Sequence, residues 1–128
     1  MSKVTVSCIT AVLMMLAASP LAAEGDHSAA ATHGGQYAEV EGHHGVELVA
    51  TADALTFHLT DDHKPMDLTG AQFKAVVQTG NATNMVELAI DGSALKGALK
   101  APLPSGAKIV LTGKDRHGHA LQARFVKQ

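Results

Sequence analysis

Eight histidines occur in this 128-residue chain, none of them before His27, and no other residue type brings so much chemistry to it. Imidazole is the commonest protein ligand for zinc, copper and nickel, and its ordinary pKa lies closest to neutrality of any side chain. His43 and His44 are adjacent, and His117 and His119 flank a single glycine, so each pair offers two ring nitrogens over a short stretch of chain. Asp61, Asp62 or His63 could complete three or four positions, a donor set that suits Zn(II), Cu(II) or Ni(II). Cu(I) suits it less, because the soft donors beyond residue 23 are only Met66 and Met85, and both are expected to pack. Binding should weaken below about pH 6, since the ligands must be deprotonated.

Against this stands the plainer expectation that loop histidines are solvated polar residues. His58 is read that way, as an exposed mid-strand residue beside Thr56 and Thr60. Asp61 to Pro65 reads as a turn, and Gly34-Gly35 as spacers that keep the chain loose.

Positioning these residues is the task of the elements around them. Lys3, the apolar run Val4 to Leu16 and the small-residue stretch Ala17 to Ala23 read as a signal peptide, residues 1–23, which predicts a periplasmic or secreted protein with no membrane insertion after cleavage. The one cysteine, Cys8, lies within it, so disulfides and thiolate metal sites are not expected beyond it. Residues 24–42 lack periodic apolar residues and read as a flexible His/Ala/Gly-rich tail carrying His27 and His33. Residues 43–128 alternate apolar and polar positions in short runs separated by turn residues. Seven strands are predicted, at about 46–51, 54–61, 72–79, 84–91, 94–100, 107–115 and 119–127. Leu55, Phe57 and Leu59 share one face; Phe73, Ala75 and Val77 another; Val86, Leu88 and Ile90 a third. One hairpin sheet cannot bury such faces alone, so the expected fold is all-β, a seven-stranded antiparallel immunoglobulin-like β-sandwich.

In an up-and-down succession of strands, alternate loops fall at opposite ends. His43 and His44, His63, and His117 and His119 then belong to one pole, with the tail's His27 and His33 entering there too. The turns at the other pole, near Ala52, Asn81 and Pro102, hold no histidine. His43, His44, His117 and His119 are therefore the leading candidate metal ligands, His63 the next, and His27 and His33 tail ligands in a capture role.

Other functions find little support. Ten basic residues, nine once Lys3 is removed, face twelve acidic ones, and with no Trp and one Tyr there is neither a basic patch nor a stacking surface for nucleic acid. No G-x-S-x-G or glycine-rich phosphate loop occurs, and Ser28, Ser93 and Ser105 lie in the tail or in turns, so no enzyme is expected. The rival is a secreted β-sandwich interaction module that binds a protein or envelope component, its histidines incidental or pH-sensing.

Several segments also carry a resemblance. His33-Gly34-Gly35, Val46-Glu47-Leu48-Val49, the run Leu59 to Met66, Gly70-Ala71 and Gln122-Ala123-Arg124-Phe125 together resemble the N-terminal domain of periplasmic adaptor (membrane-fusion) subunits of heavy-metal efflux pumps, and stand-alone secreted proteins of similar pattern. The likeness spans about residues 33–126. It implies a periplasmic metal-associated domain, a binder or chaperone for copper, zinc, cobalt or nickel near an efflux complex, but transfers no defined ligand set. With no helical hairpin, lipoyl-like domain or second barrel in the sequence, a stand-alone protein is expected and not an adaptor subunit.

Overall fold

The structure, a computed structural model, describes residues 31–128. The proposed signal peptide, His27 and the start of the tail lie outside the described residues. In chain order the strands are β1 (Gln36–Val40), β2 (His44–Ala50), β3 (Ala54–Asp61), β4 (Lys64–Pro65), β5 (Gln72–Thr79), β6 (Ala82–Val86), β7 (Ala89–Asp91), β8 (Ala94–Ala98), β9 (Lys108–Lys114) and β10 (Ala120–Val126). They form two antiparallel sheets, and no helix occurs among the described residues. One sheet runs β1-β2-β3-β8-β7, with β4 added to β3; the other runs β10-β9-β5-β6.

The predicted alternation places the core. Leu55, Phe57 and Leu59 from the first sheet are fully buried together with Ala75, Val77, Ile109 and Leu111 from the second. Phe57 and Phe125 meet across the sheets with ring centroids 6.3 Å apart and tilted by 50°. Aromatic pairs favour this tilted approach over a face-to-face one. Met66 joins the core as expected, whereas Met85 stands exposed on β6.

Ten strands replace the predicted seven, for two main physical reasons besides the short β4. The first is β1, whose residues the sequence reading placed in the tail. Ala38 and Val40 pack on the core from this half-buried edge strand, a signal too short to stand out in a run of Gly and His. The second is the predicted strand 84–91, which breaks into β6 and β7 on different sheets. Its crossing segment lies over Gly97, where an added Cβ would come 2.5 Å from Val86 Cγ1 and 2.9 Å from Leu88 Cδ2. The switch also explains why Ile90, predicted to share a face with Val86, is exposed.

Two short turns close one end of the first sheet. Val40 pairs with His44 across Glu41-Gly42-His43, with Gly42 and His43 both at positive φ (78° and 65°). Asp61 pairs with Lys64 across Asp62-His63, whose φ values of 49° and 62° make a two-residue turn of the mirror-image kind that matches strand twist. Asp62 N–H donates to His43 O at 2.9 Å, so the turns brace each other. At the opposite end, Leu99 N–H donates to Asp53 O at 2.8 Å, and the β5–β6 turn adjoins Pro102 to Pro104.

Candidate functional site

Three residues of the described chain are polar and buried: His44, Glu47 and Asp115. Burying a polar group costs free energy unless its hydrogen bonds are met. In each case those bonds settle the state of an imidazole.

His44 opens β2. Its Nδ1–H donates to Glu41 O at 2.8 Å across the β1–β2 turn. A carbonyl only accepts, so Nδ1 carries a proton, and Nε2 is left on the side of the carboxylate of its strand partner Asp61, 3.6 Å away.

Asp115 follows β9, and its carboxylate shapes the β9–β10 turn. Oδ1 accepts the backbone N–H groups of His117 and His119, both at 2.8 Å, and Oδ2 takes Nδ1–H of His119 at 3.1 Å. Burial alone would raise this carboxyl, but the bonds from the His119 and His117 backbones and from the His119 ring hold it below its ordinary range. An ionised carboxylate only accepts, so His119 likewise presents Nε2. Gly118, at a φ of 84°, supplies the left-handed residue that lets the chain wrap the carboxylate. His44, Asp61, Asp115, His117 and His119 line one cavity of about 450 Å³ between the two sheets' turns.

Glu47 lies on the outer face of the first sheet and is 3% exposed. Its Oε1 accepts the N–H groups of His33 (2.8 Å) and Gly35 (3.0 Å); Oε2 accepts Thr32 N–H (3.2 Å) and His33 Nδ1–H (2.8 Å). Burial would raise the Glu47 carboxyl, and the Gly35 and His33 bonds with the His33 charge bring it below its ordinary value instead. Residues 32–35 thereby fold over β2. Gly35 permits this, because a Cβ there would stand 2.2 Å from Leu48 O. Gly34-Gly35 thus seats the segment on the sheet and does not keep it loose.

This fold-back brings His33 onto His58, the β3 partner of Glu47. The two rings stack in parallel with centroids 3.6 Å apart. His58 is therefore half-buried and stacked, where the sequence suggested a plain exposed position. Burial and then the His33 charge, with a smaller push from Lys96, lower its pKa against the pull of Glu47. His33, His58 and His63 line a second cavity of about 310 Å³, floored by Glu47 and bounded by Tyr37 and Thr60.

The structure thus brings His44, His117 and His119 together at the pole and assigns His33 and His63 to a different cavity on the outer face. His43 sits exposed in its turn and lines neither cavity. Among the described residues no group of three or more His, Cys, Asp or Glu is set closely enough to hold one ion as it stands. Two pairs of rings stand close, His33 with His58 and His117 with His119. Sequence reasoning missed Glu47, Asp115 and the role of His58. The Asp115-Arg116-His117-Gly118-His119 run carries a readable signal, an Asp whose side chain caps its own turn. For Glu47 no local signal exists. Comparison with protein-family models and with curated proteins finds no match to this chain.

Proposed function

We propose that this protein binds a divalent transition metal, copper or zinc with nickel as the alternative, at the pole between the β1–β2 and β9–β10 turns. The Nε2 atoms of His44 and His119 are the first donors, and the exposed His117 and Asp61 rotate in to complete the set. The observation that carries this reading is that both first donors have Nδ1–H tied beside the pole, buried His44 to Glu41 O and His119 to the buried Asp115 carboxylate. A metal-ligating histidine commonly has its other nitrogen tied in this way by a carboxylate or carbonyl, which sets the tautomer and raises ligand basicity. Rings of His117 and His119 with centroids 6.1 Å apart need only a modest rotation to share an ion.

The metal is cargo, and no catalytic step is assigned. Capture, resistance or delivery to an efflux complex in the periplasm agrees with the adaptor-like segments and the N-terminal signal-like run. The two sheets are read as an immunoglobulin-like sandwich with added edge strands.

A second reading, an interaction module, draws on the opposite end. Val77, Val86, Leu99 and Leu103 line an apolar cavity of about 460 Å³ beside Met85, which is 67% exposed. Competition titration of tag-free protein with Cu(II), Zn(II) and Ni(II) separates the two. The expected result is a tight equivalent at the pole whose affinity falls at least tenfold in His44→Gln and in His119→Gln. Affinity unchanged in both variants overturns the polar site.

A further inference from the structure

We infer that the outer face of the first sheet carries a second divalent-metal site, made by His33 and His58 with His63 at its rim, and that metal there ties the segment before β1 to β3. It goes beyond the polar site and shares no ligand with it.

The placement of the two rings is built into the backbone. Tyr37, Glu47 and His58 form one row across β1, β2 and β3, each facing the next in register and so on the same side of the sheet. Glu47 takes three backbone N–H groups from residues 32–35, which sets His33 directly above this row. The absent Cβ of Gly35 allows the approach. Such a fold-back fixes a main chain, so the meeting of His33 with His58 does not depend on two free side chains.

Each ring brings a donor. His33 donates its Nδ1–H to Glu47, so the nitrogen available to a metal is Nε2, on the side of the ring away from the carboxylate. His58 makes no side-chain hydrogen bond to any described residue, so its ring is free to offer a nitrogen to the cavity that it lines. Two imidazoles bound side by side to one ion, with metal–nitrogen distances near 2 Å, hold their centroids roughly 4–5 Å apart. The observed rings are parallel with centroids 3.6 Å apart, so an in-plane lone pair from each reaches one ion only after the His58 ring, which makes no side-chain hydrogen bond among the described residues, turns out of the stack and the centroids open by about 1 Å.

His63 is presented to the same cavity by a turn whose left-handed backbone aims it there, and the Thr60 and Ser93 hydroxyls can hold metal-bound water. The buried Glu47 carboxylate supplies a negative charge beneath the rings, offsetting part of the ion's charge without leaving its own hydrogen bonds. Two or three nitrogens and open water positions describe an exchangeable site for Zn(II) or Cu(II).

The test follows the imidazole nitrogens by NMR while tag-free protein is titrated with Zn(II). His33 and His58 are expected to shift together over one equivalent, and amide exchange at His33 and Gly35 to slow. His58→Phe keeps an aromatic ring for His33 to stack on but has no donor, so it should fold and lose this equivalent, with at least a tenfold fall in affinity. The equivalent assigned to His44 and His119 should remain. Unchanged stoichiometry and affinity in His58→Phe, or His33 and His58 signals that stay still as metal saturates the protein, overturns the site. Loss of binding in His44→Gln alone leaves the outer-face equivalent in place, so the two sites fail independently.

Discussion

The turn around Asp115 and the outer face around Glu47 use the same chemistry at two ranges. Both are buried carboxylates that accept backbone N–H groups together with the Nδ1–H of a histidine. Asp115 serves residues two and four positions ahead of it, whereas Glu47 holds a segment 12 to 15 residues behind it in the chain. The local version shapes a turn that the strands would otherwise close anyway. The distant one is what keeps residues 32–35 on the sheet, so losing it should release a segment and not merely loosen a loop.

Breaking the distant carboxylate gives the largest expected effect. Glu47→Ala removes the acceptor of four hydrogen bonds, and a loss on the order of 3 kcal/mol is expected by chemical denaturation, since buried donors left unpaired cost 1–3 kcal/mol each and only some regain water. Amides of residues 32–35 should lose exchange protection while those of β9 keep theirs. Loss of protection spread evenly over both sheets would show that Glu47 serves the whole fold.

Asp115→Asn sharpens the other side. An amide oxygen can still accept the His117 and His119 N–H groups, but its NH₂ would face His119 Nδ1 and force the proton onto Nε2. Stability should fall by under about 1 kcal/mol, while metal affinity at the pole falls roughly 10- to 100-fold. Equal affinity in titrations of the two proteins would remove the tautomer from the account of that site.

Gly118→Ala separates strain from packing. A Cβ at Gly118 meets nothing within 4 Å, so only the positive φ is penalised, and about 1 kcal/mol is expected in the melting curve. Gly35→Ala, by contrast, should reproduce the local release expected of Glu47→Ala.

The smallest effect is that of pH on the metal-free protein. His58 has a folded pKa below its ordinary 6.5, so the unfolded chain binds more protons between the two values, and stability falls as pH drops below about 6.5. Glu47 and Asp115 have folded values below 4.5 and 3.8; their contribution is complete above those unfolded values and is lost only as pH falls through the lower folded ones. Amide shifts of residues 32–35 should therefore move between pH 7 and 5 while those of β9 stay still. Movement of both alike would show that the stacked pair does not control the segment.

Legibility in the sequence followed the same division between near and far. Residues 54–61 and 72–79 were readable to the residue, because long alternation with a polar outer side leaves one register that buries Leu55, Phe57, Ala75 and Val77. The gathering of His44, His117 and His119 around one cavity was foreseeable from loop alternation alone. The split of residues 84–91 was not, because the alternation continues unbroken through a change of sheet that Gly97, a residue on another strand, makes room for. Nor was the Glu47 cavity: Val46-Glu47-Leu48 reads as an ordinary strand with its acid in water, and the covering residues 32–35 contain too little apolar surface to announce that they dock.

The passage of the chain between sheets also acts as a stitch. From Val86 to Ala89 one short length of backbone leaves the edge of the second sheet and enters the edge of the first, packed over Gly97. Sliding the sheets past each other would have to tear β6 from β5 or β7 from β8 before the faces part. A pull on the ends should therefore meet one shared yield point, with both layers giving way together and no stage in which one peels off while the other stays whole.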